Sequence, residues 1–81
     1  MTIGEFVYNR EFNVYGRIVV YGHTENDVCH ETHKVYDSCH PRFQGHAIPD
    51  NIQKITFRSV CPADDGISIH YTTNELIYDF L

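Results

Sequence analysis

The sequence has no tryptophan and no apolar run long enough to cross a bilayer. Its longest uninterrupted apolar stretch covers only residues 18–21, whereas a transmembrane helix needs about 20 apolar residues. Residues 1–10 also lack the basic and apolar regions of a secretory signal peptide. We therefore expect no membrane partner and a cytoplasmic location, in which the three cysteines remain reduced.

Basic residues are scarce as well. Six Lys and Arg stand against 11 Asp and Glu, which gives a formal net charge of −5, and no two basic residues are adjacent. Proteins that bind nucleic-acid backbones need clustered cations to displace counterions, so we expect no direct nucleic-acid binding. The glycine-rich motifs of dinucleotide and P-loop sites are missing too. A partner protein with a basic surface fits this charge better.

The sequence does contain enough apolar material for one small core. Hydrophobic residues make up 42% of the 81 residues and aromatic residues 14%, so we expect a single folded domain over residues 1–81. A Thr2-x-x-Glu5 capping box predicts a short helix over residues 1–9. Alternating apolar side chains predict four strands, at residues 14–22, 34–38, 54–60 and 67–71.

Proline, glycine and aspartate divide the second half of the chain. One helical turn is predicted at residues 49–52, which begin with proline, and a tight turn is predicted at residues 61–66. Residues 75–81 are predicted as a last strand because their apolar side chains suit a pleated surface. A C-terminal helix is the alternative, since Thr72-x-x-Glu75 also matches a capping box.

The predicted fold class is α+β, with a short N-terminal helix packed on a mostly antiparallel sheet of four or five strands. Short connections in the second half of the chain favour antiparallel neighbours, because parallel pairs need long crossovers. The side chains expected to point into the core are Phe6, Ile18, Val20, Ile55, Phe57, Ile67 and Ile69.

The segment over residues 23–46 holds five of the six histidines and two of the three cysteines. Its candidate metal ligands are Cys29, His33, Cys39 and His40, since imidazole and thiolate are the usual zinc donors. Structural zinc sites, however, pair their ligands at larger spacings than the adjacent Cys–His pairs found here. We therefore expect a solvated loop and no cofactor, with a zinc-stabilised protein interaction module as the alternative.

Tyr15, Arg17 and Tyr21 are the candidate binding residues. They fall on the outward side of the predicted strand at residues 14–22, and Tyr and Arg dominate binding hot spots. The competing interpretation is that these rings cover a second hydrophobic layer beneath the long loop.

An enzyme is not expected, because no protease or transferase signature surrounds any of the three cysteines. A catalytic thiol also needs a positioned base and an oxyanion site, and no pattern in the sequence indicates either. A small hydrolase that uses a Cys or His is therefore only the third class of function considered.

Four short landmarks follow one another along the chain: Thr2-Ile3-Gly4-Glu5-Phe6-Val7, Arg17-Ile18, Val35-Tyr36-Asp37-Ser38 and Ile48-Pro49. In this order they resemble a group of small uncharacterised proteins encoded in prophages and mobile elements of Firmicutes. The His- and Cys-rich segment departs from the pattern of that group. The resemblance implies a non-enzymatic phage or mobile-element accessory protein in the host bacterial cytoplasm. Such a protein binds and inhibits a host defence factor, as anti-CRISPR proteins do.

Overall fold

The computed structural model describes residues 1–9, 16–24 and 33–74. Within these ranges the chain forms two short helices and a four-stranded mixed sheet, which is an α+β arrangement. The elements in chain order are α1 (Ile3–Val7), β1 (Arg17–Thr24), β2 (His33–Asp37), α2 (Asp50–Gln53), β3 (Ser59–Ala63) and β4 (Gly66–Thr73). The predicted strand or helix at residues 75–81 lies outside the described residues.

The N-terminal helix begins where the capping box predicts. The Thr2 hydroxyl oxygen accepts from the backbone N–H of Glu5 at 3.2 Å, and the Glu5 carboxylate accepts from the N–H of Thr2 at 3.1 Å. These bonds satisfy two of the donors that a helix start leaves without a partner, and they lower the pKa of Glu5. Because five residues are too few for an independent helix, α1 depends on tertiary contacts. Ile3 is fully buried and its N–H donates to the Ile55 carbonyl at 2.8 Å.

The strand order is β2-β1-β4-β3. The two outer pairs, β2 with β1 and β4 with β3, are antiparallel, as the sequence predicts, but the central pair of β1 with β4 is parallel. Two strands that lie far apart in the chain can pair in parallel because the intervening residues form the long crossover that this arrangement needs. Gly66 opens this pairing, and a Cβ atom there would collide with the Arg17 carbonyl oxygen.

The strand predicted at residues 54–60 is largely wrong. Thr56 forms only an isolated bridge with Thr2, and β3 begins at Ser59. β3 then continues to Ala63, through residues that the proline cue predicts as a turn, and the turn itself is confined to residues 64–65. Pro62 is tolerated in β3 because this strand is at the end of the strand order. On the side of such a strand that pairs with no neighbour, a missing backbone N–H costs no hydrogen bond.

The core lies on one face of the sheet. Val20 and Ile69, both predicted to be buried, are fully enclosed together with Ile3. The other predicted core residues are half-buried against this cluster: Phe6, Ile18, Ile55, Phe57 and Ile67. Further buried side chains come from β2, α2 and the residues between them: Val35, Tyr36, Phe43, Ile48 and Ile52. No helix in the described ranges is long and apolar enough to span a membrane.

Candidate functional site: an imidazole cluster on the sheet

The face of the sheet opposite the core carries polar and aromatic side chains. Because successive residues of a strand alternate between faces, the neighbours of Val20 and Ile69 point away from the core. The parallel register of β1 with β4 places Tyr21 beside His70 and Val19 beside Ser68. We call this side of β1 and β4 the outer face; its residues are Arg17, Val19, Tyr21 and His23 of β1, and Gly66, Ser68, His70 and Thr72 of β4.

Two histidines meet on the outer face. Nε2 of His23 lies 3.0 Å from Nδ1 of His70, and the two ring centroids are 5.3 Å apart. The centroid separation is close to the N–N distance plus the radii of both rings, so the imidazoles meet head-on rather than face to face. This geometry directs each nitrogen at the other, which suits one shared hydrogen. Two ligands of a metal ion would instead both point at a third position.

The contacts of Ser68 lead us to assign the hydrogens of the two rings. Its hydroxyl lies 3.4 Å from the Cys61 carbonyl oxygen, which can only accept, and 3.1 Å from Nε2 of His70. With the single hydroxyl hydrogen directed at the carbonyl, Ser68 accepts from the Nε2–H of His70. Nδ1 of His70 is then an acceptor, and it receives the Nε2–H of His23. The bonds form a directed chain from His23 through His70 and Ser68 to the β3 backbone.

Tyr21 completes the arrangement, which we call the imidazole cluster: Tyr21, His23, Ser68 and His70. The Tyr21 ring stacks on His70 with centroids 5.2 Å apart and planes 18° from parallel. All four side chains are half-buried. Burial and the neighbouring charge of His23 lower the pKa of His70, so its imidazole is neutral at physiological pH. The cluster therefore presents an aromatic surface in which His70 has a hydrogen-bond partner at each ring nitrogen.

A second polar group lies at the other end of the outer face. Arg17 donates from Nε to Oδ1 of Asp37 at 2.9 Å and from its Nη2 to the second carboxylate oxygen. Its Nη1 also reaches Asp65, at 3.4 Å. Asp37 is only 4% exposed, and the hydrogen bonds from Arg17 hold the pKa of this carboxyl at about 2. The same pairing raises the pKa of Arg17, so this ion pair ties β1 to β2.

The predicted binding residues thus occupy different environments. Tyr21 belongs to the imidazole cluster, whereas the guanidinium of Arg17 is held by two carboxylates. Tyr15 lies outside the described residues.

The structure describes three of the four predicted metal ligands. Cys29 lies outside the described residues, His33 begins β2, and Cys39 is exposed in the turn that follows β2. His40 already uses Nδ1 to accept the backbone N–H of Arg42 at 3.2 Å. Within residues 1–9, 16–24 and 33–74, no three His, Cys, Asp or Glu side chains come together as a metal site.

Sequence reasoning did not select His70. The candidate ligands were chosen from residues 23–46 because His and Cys are dense there, and His70 is the one histidine outside that segment. The signal was present in β4, where Ser68, His70 and Thr72 alternate with apolar residues and so share one face. The contact with His23 depends on the parallel pairing of β1 with β4, which no local pattern indicates.

A shallow cleft of about 320 Å³ lies between α1 and α2. Small-molecule sites are concave and mainly apolar, with a few placed polar groups. The cleft here is instead open to solvent, and Thr2 and Glu5 in its lining already bond to each other in the capping box. The other lining residues are Gly4, Asp50, Gln53 and Lys54. The imidazole cluster is the better candidate for function.

Comparison of the chain with protein-family models, curated proteins and solved structures gives no match.

Proposed function

We propose that this chain is a non-enzymatic binding protein that docks on a partner protein through its outer face. The observation that carries the proposal is the imidazole cluster, where Tyr21 is stacked on His70 and His70 is fixed by hydrogen bonds on both ring nitrogens. An aromatic side chain that is already ordered loses little conformational entropy when a partner covers it. Tyrosine is also among the residues that contribute most to binding energy.

The charge of the chain supports a basic partner. A formal net charge of −5 favours encounters with a positively charged surface. Association with such a partner should slow as salt rises, because charges more than about 8 Å apart are screened at physiological ionic strength.

The class of target follows from the resemblance to prophage and mobile-element proteins. In this proposal the chain is an accessory protein of such an element, acts in the host bacterial cytoplasm, and inhibits a host defence factor in the manner of anti-CRISPR proteins. Inhibition is by occlusion, so it requires no reactive side chain on this chain. In this proposal the partner covers the outer face, on the side of the sheet opposite the buried core.

The test compares three forms of the tagged chain in a bacterial host that carries an active defence system. These are the wild type, Tyr21→Ala, and Tyr8→Ala as the matched control. Tyr8 is another large aromatic residue, 53% exposed, and it lies at the end of α1 rather than on the outer face. Circular dichroism establishes that each variant is folded.

We expect the wild type and Tyr8→Ala to capture the same host protein and to restore phage growth, and Tyr21→Ala to lose both effects. Loss of an anchor residue acts mainly by speeding dissociation, so biolayer interferometry should show a faster off-rate for Tyr21→Ala. The proposal is wrong if Tyr21→Ala binds and inhibits as well as the wild type does. It is also wrong if the wild type restores no growth against any defence system of the host.

A further inference from the structure

The head-on contact of His23 with His70 joins the two central strands within the outer face. β1 supplies the donor and β4 the acceptor, at an N–N distance of 3.0 Å. Tyr21, the anchor of the proposed docking surface, is stacked on the acceptor ring. Any change that separates the two imidazoles therefore also disturbs the position of Tyr21.

The pair can accept one proton without breaking its hydrogen bond. In the neutral pair, Nε2–H of His23 donates to Nδ1 of His70, and Nδ1 of His23 has the available lone pair. A first proton that binds there turns His23 into an imidazolium, which still donates to His70 and does so more strongly. The outer face keeps its geometry in this singly protonated state.

A second proton has no such position. In this assignment Nε2 of His70 carries hydrogen and donates to Ser68, so the second proton binds Nδ1, the atom that accepts from His23. The hydrogen bond is then lost, and two imidazolium rings face each other at the shortest separation in the cluster. Like charges this close in a half-buried site repel strongly.

Within residues 1–9, 16–24 and 33–74, the positions paired with the two histidines offer no carboxylate to compensate for a second charge. His70 pairs with Tyr21 of β1 and Ser59 of β3, and His23 pairs with Thr72 of β4. β3 contributes the Cys61 thiol, and Arg58, just before β3, donates its backbone N–H to the His70 carbonyl. β2 contributes two potential cations, Lys34 and His33, opposite Tyr21 and Gly22. None of these described neighbours is a carboxylate, and the buried Asp37 is already paired with Arg17.

We propose that the His23–His70 pair makes the outer face acid-sensitive: it accommodates one added proton and is forced apart by the second, which releases the docked partner. This inference rests on the proposed docking function, because it names acidic pH as the condition under which the same surface releases its partner. The lowered pKa of His70 agrees with the order of the two protonation steps.

The first experiment needs no partner. Long-range ¹H–¹⁵N spectra of the histidine side chains, recorded on the full chain between about pH 8 and pH 4, report tautomer and charge for each ring. We expect His70 at high pH to be neutral with hydrogen on Nε2. We expect the two rings to take up protons in two separate steps, because the second proton breaks the hydrogen bond between them. Simultaneous titration of both rings would overturn the inference.

A variant isolates the contribution of the second imidazole. His23→Gln keeps an N–H donor for Nδ1 of His70 but removes the neighbouring charge, so the midpoint of His70 should rise. His46→Gln is the matched control and should leave the His70 midpoint unchanged. An unchanged midpoint in His23→Gln contradicts the coupling between the two rings. If that variant does not fold, the wild-type titration still decides the matter.

The second experiment uses the captured partner. Affinity of the wild type should fall by about tenfold or more between about pH 8 and pH 5, and that of His23→Gln should fall less. Coupled titration without any loss of affinity in acid would overturn the regulatory inference while leaving docking intact. Failure of docking at every pH, with coupled titration present, would instead count against the proposed function.

Discussion

At the scale of single residues, Asp37 is the buried charged side chain of the described ranges. It receives two hydrogen bonds from Arg17 and a third, at 3.0 Å, from the backbone N–H of Cys39. Its pKa is about 2 in the folded chain, against the ordinary value of 3.8 for an aspartate. Because the folded state lowers this pKa, the associated stability is fully present above 3.8. It is lost as the pH falls toward 2.

Asp37→Asn tests this ion pair. The substitution removes the charge and keeps the size, and we expect it to lower the free energy of unfolding at neutral pH by about 1–3 kcal/mol. The variant should also lack the loss of stability that the wild type shows as pH falls from 3.8 to about 2. Urea denaturation followed by circular dichroism measures both effects.

Asp65→Asn is the control for that experiment. Asp65 contacts the same guanidinium at 3.4 Å, but its side chain is 61% exposed, and exposed ion pairs contribute about 0–1 kcal/mol. Equal losses of unfolding free energy in the two variants would show that the burial of Asp37 does not make its ion pair with Arg17 more stabilising than that of Asp65.

At the scale of elements, burial differs between the central strand β4 and the segment that precedes β3. Ile69 in β4 is fully buried, whereas Phe57 precedes β3 and is half-buried, with its ring 5.3 Å from that of Phe6 in an edge-on contact. The alternation in the sequence treats these two residues alike, since both fall at inward positions.

We expect Ile69→Ala to cost about 2–5 kcal/mol, the range for a buried aliphatic residue. Phe57→Ala should cost less than its ring size suggests, because part of that ring remains in water. Thermal unfolding of both variants gives the order. A larger loss for Phe57→Ala would mean that the segment before β3 is as much a part of the core as β4.

Local patterns predicted those parts of the fold that local chemistry determines. The Thr2–Glu5 capping box marks the start of α1, and the proline at position 49 marks the helical turn of α2. The predicted strand boundaries near β3 are wrong because proline usually indicates a turn, whereas a strand at the end of the strand order also accepts it. The parallel pairing, and with it the contact of His23 with His70, joins residues 47 positions apart, and no spacing rule reaches that far.

At the scale of the whole molecule, stability is expected to come from packing and ion pairing and not from a bound metal. Protein prepared without metal-affinity resin should contain well below one zinc per chain by elemental analysis, because the described candidates His33, Cys39 and His40 do not converge. Chelator should leave the melting temperature unchanged. One zinc per chain, together with unfolding on chelation, would favour the zinc-stabilised interaction module.

The parallel pairing at the centre of the sheet also bears on how the chain reaches its fold. β3 and β4 are joined by a turn at residues 64–65 and can pair as soon as both are made. β1 must instead find β4 across a long stretch of chain, and such distant contacts form slowly because of the entropy of closing the loop. Until β1 arrives, the hairpin exposes one edge of β4 together with Ile67, Ile69 and Tyr71. A second hairpin can pair with that edge, so the strand that bears His70 is where self-association competes with folding.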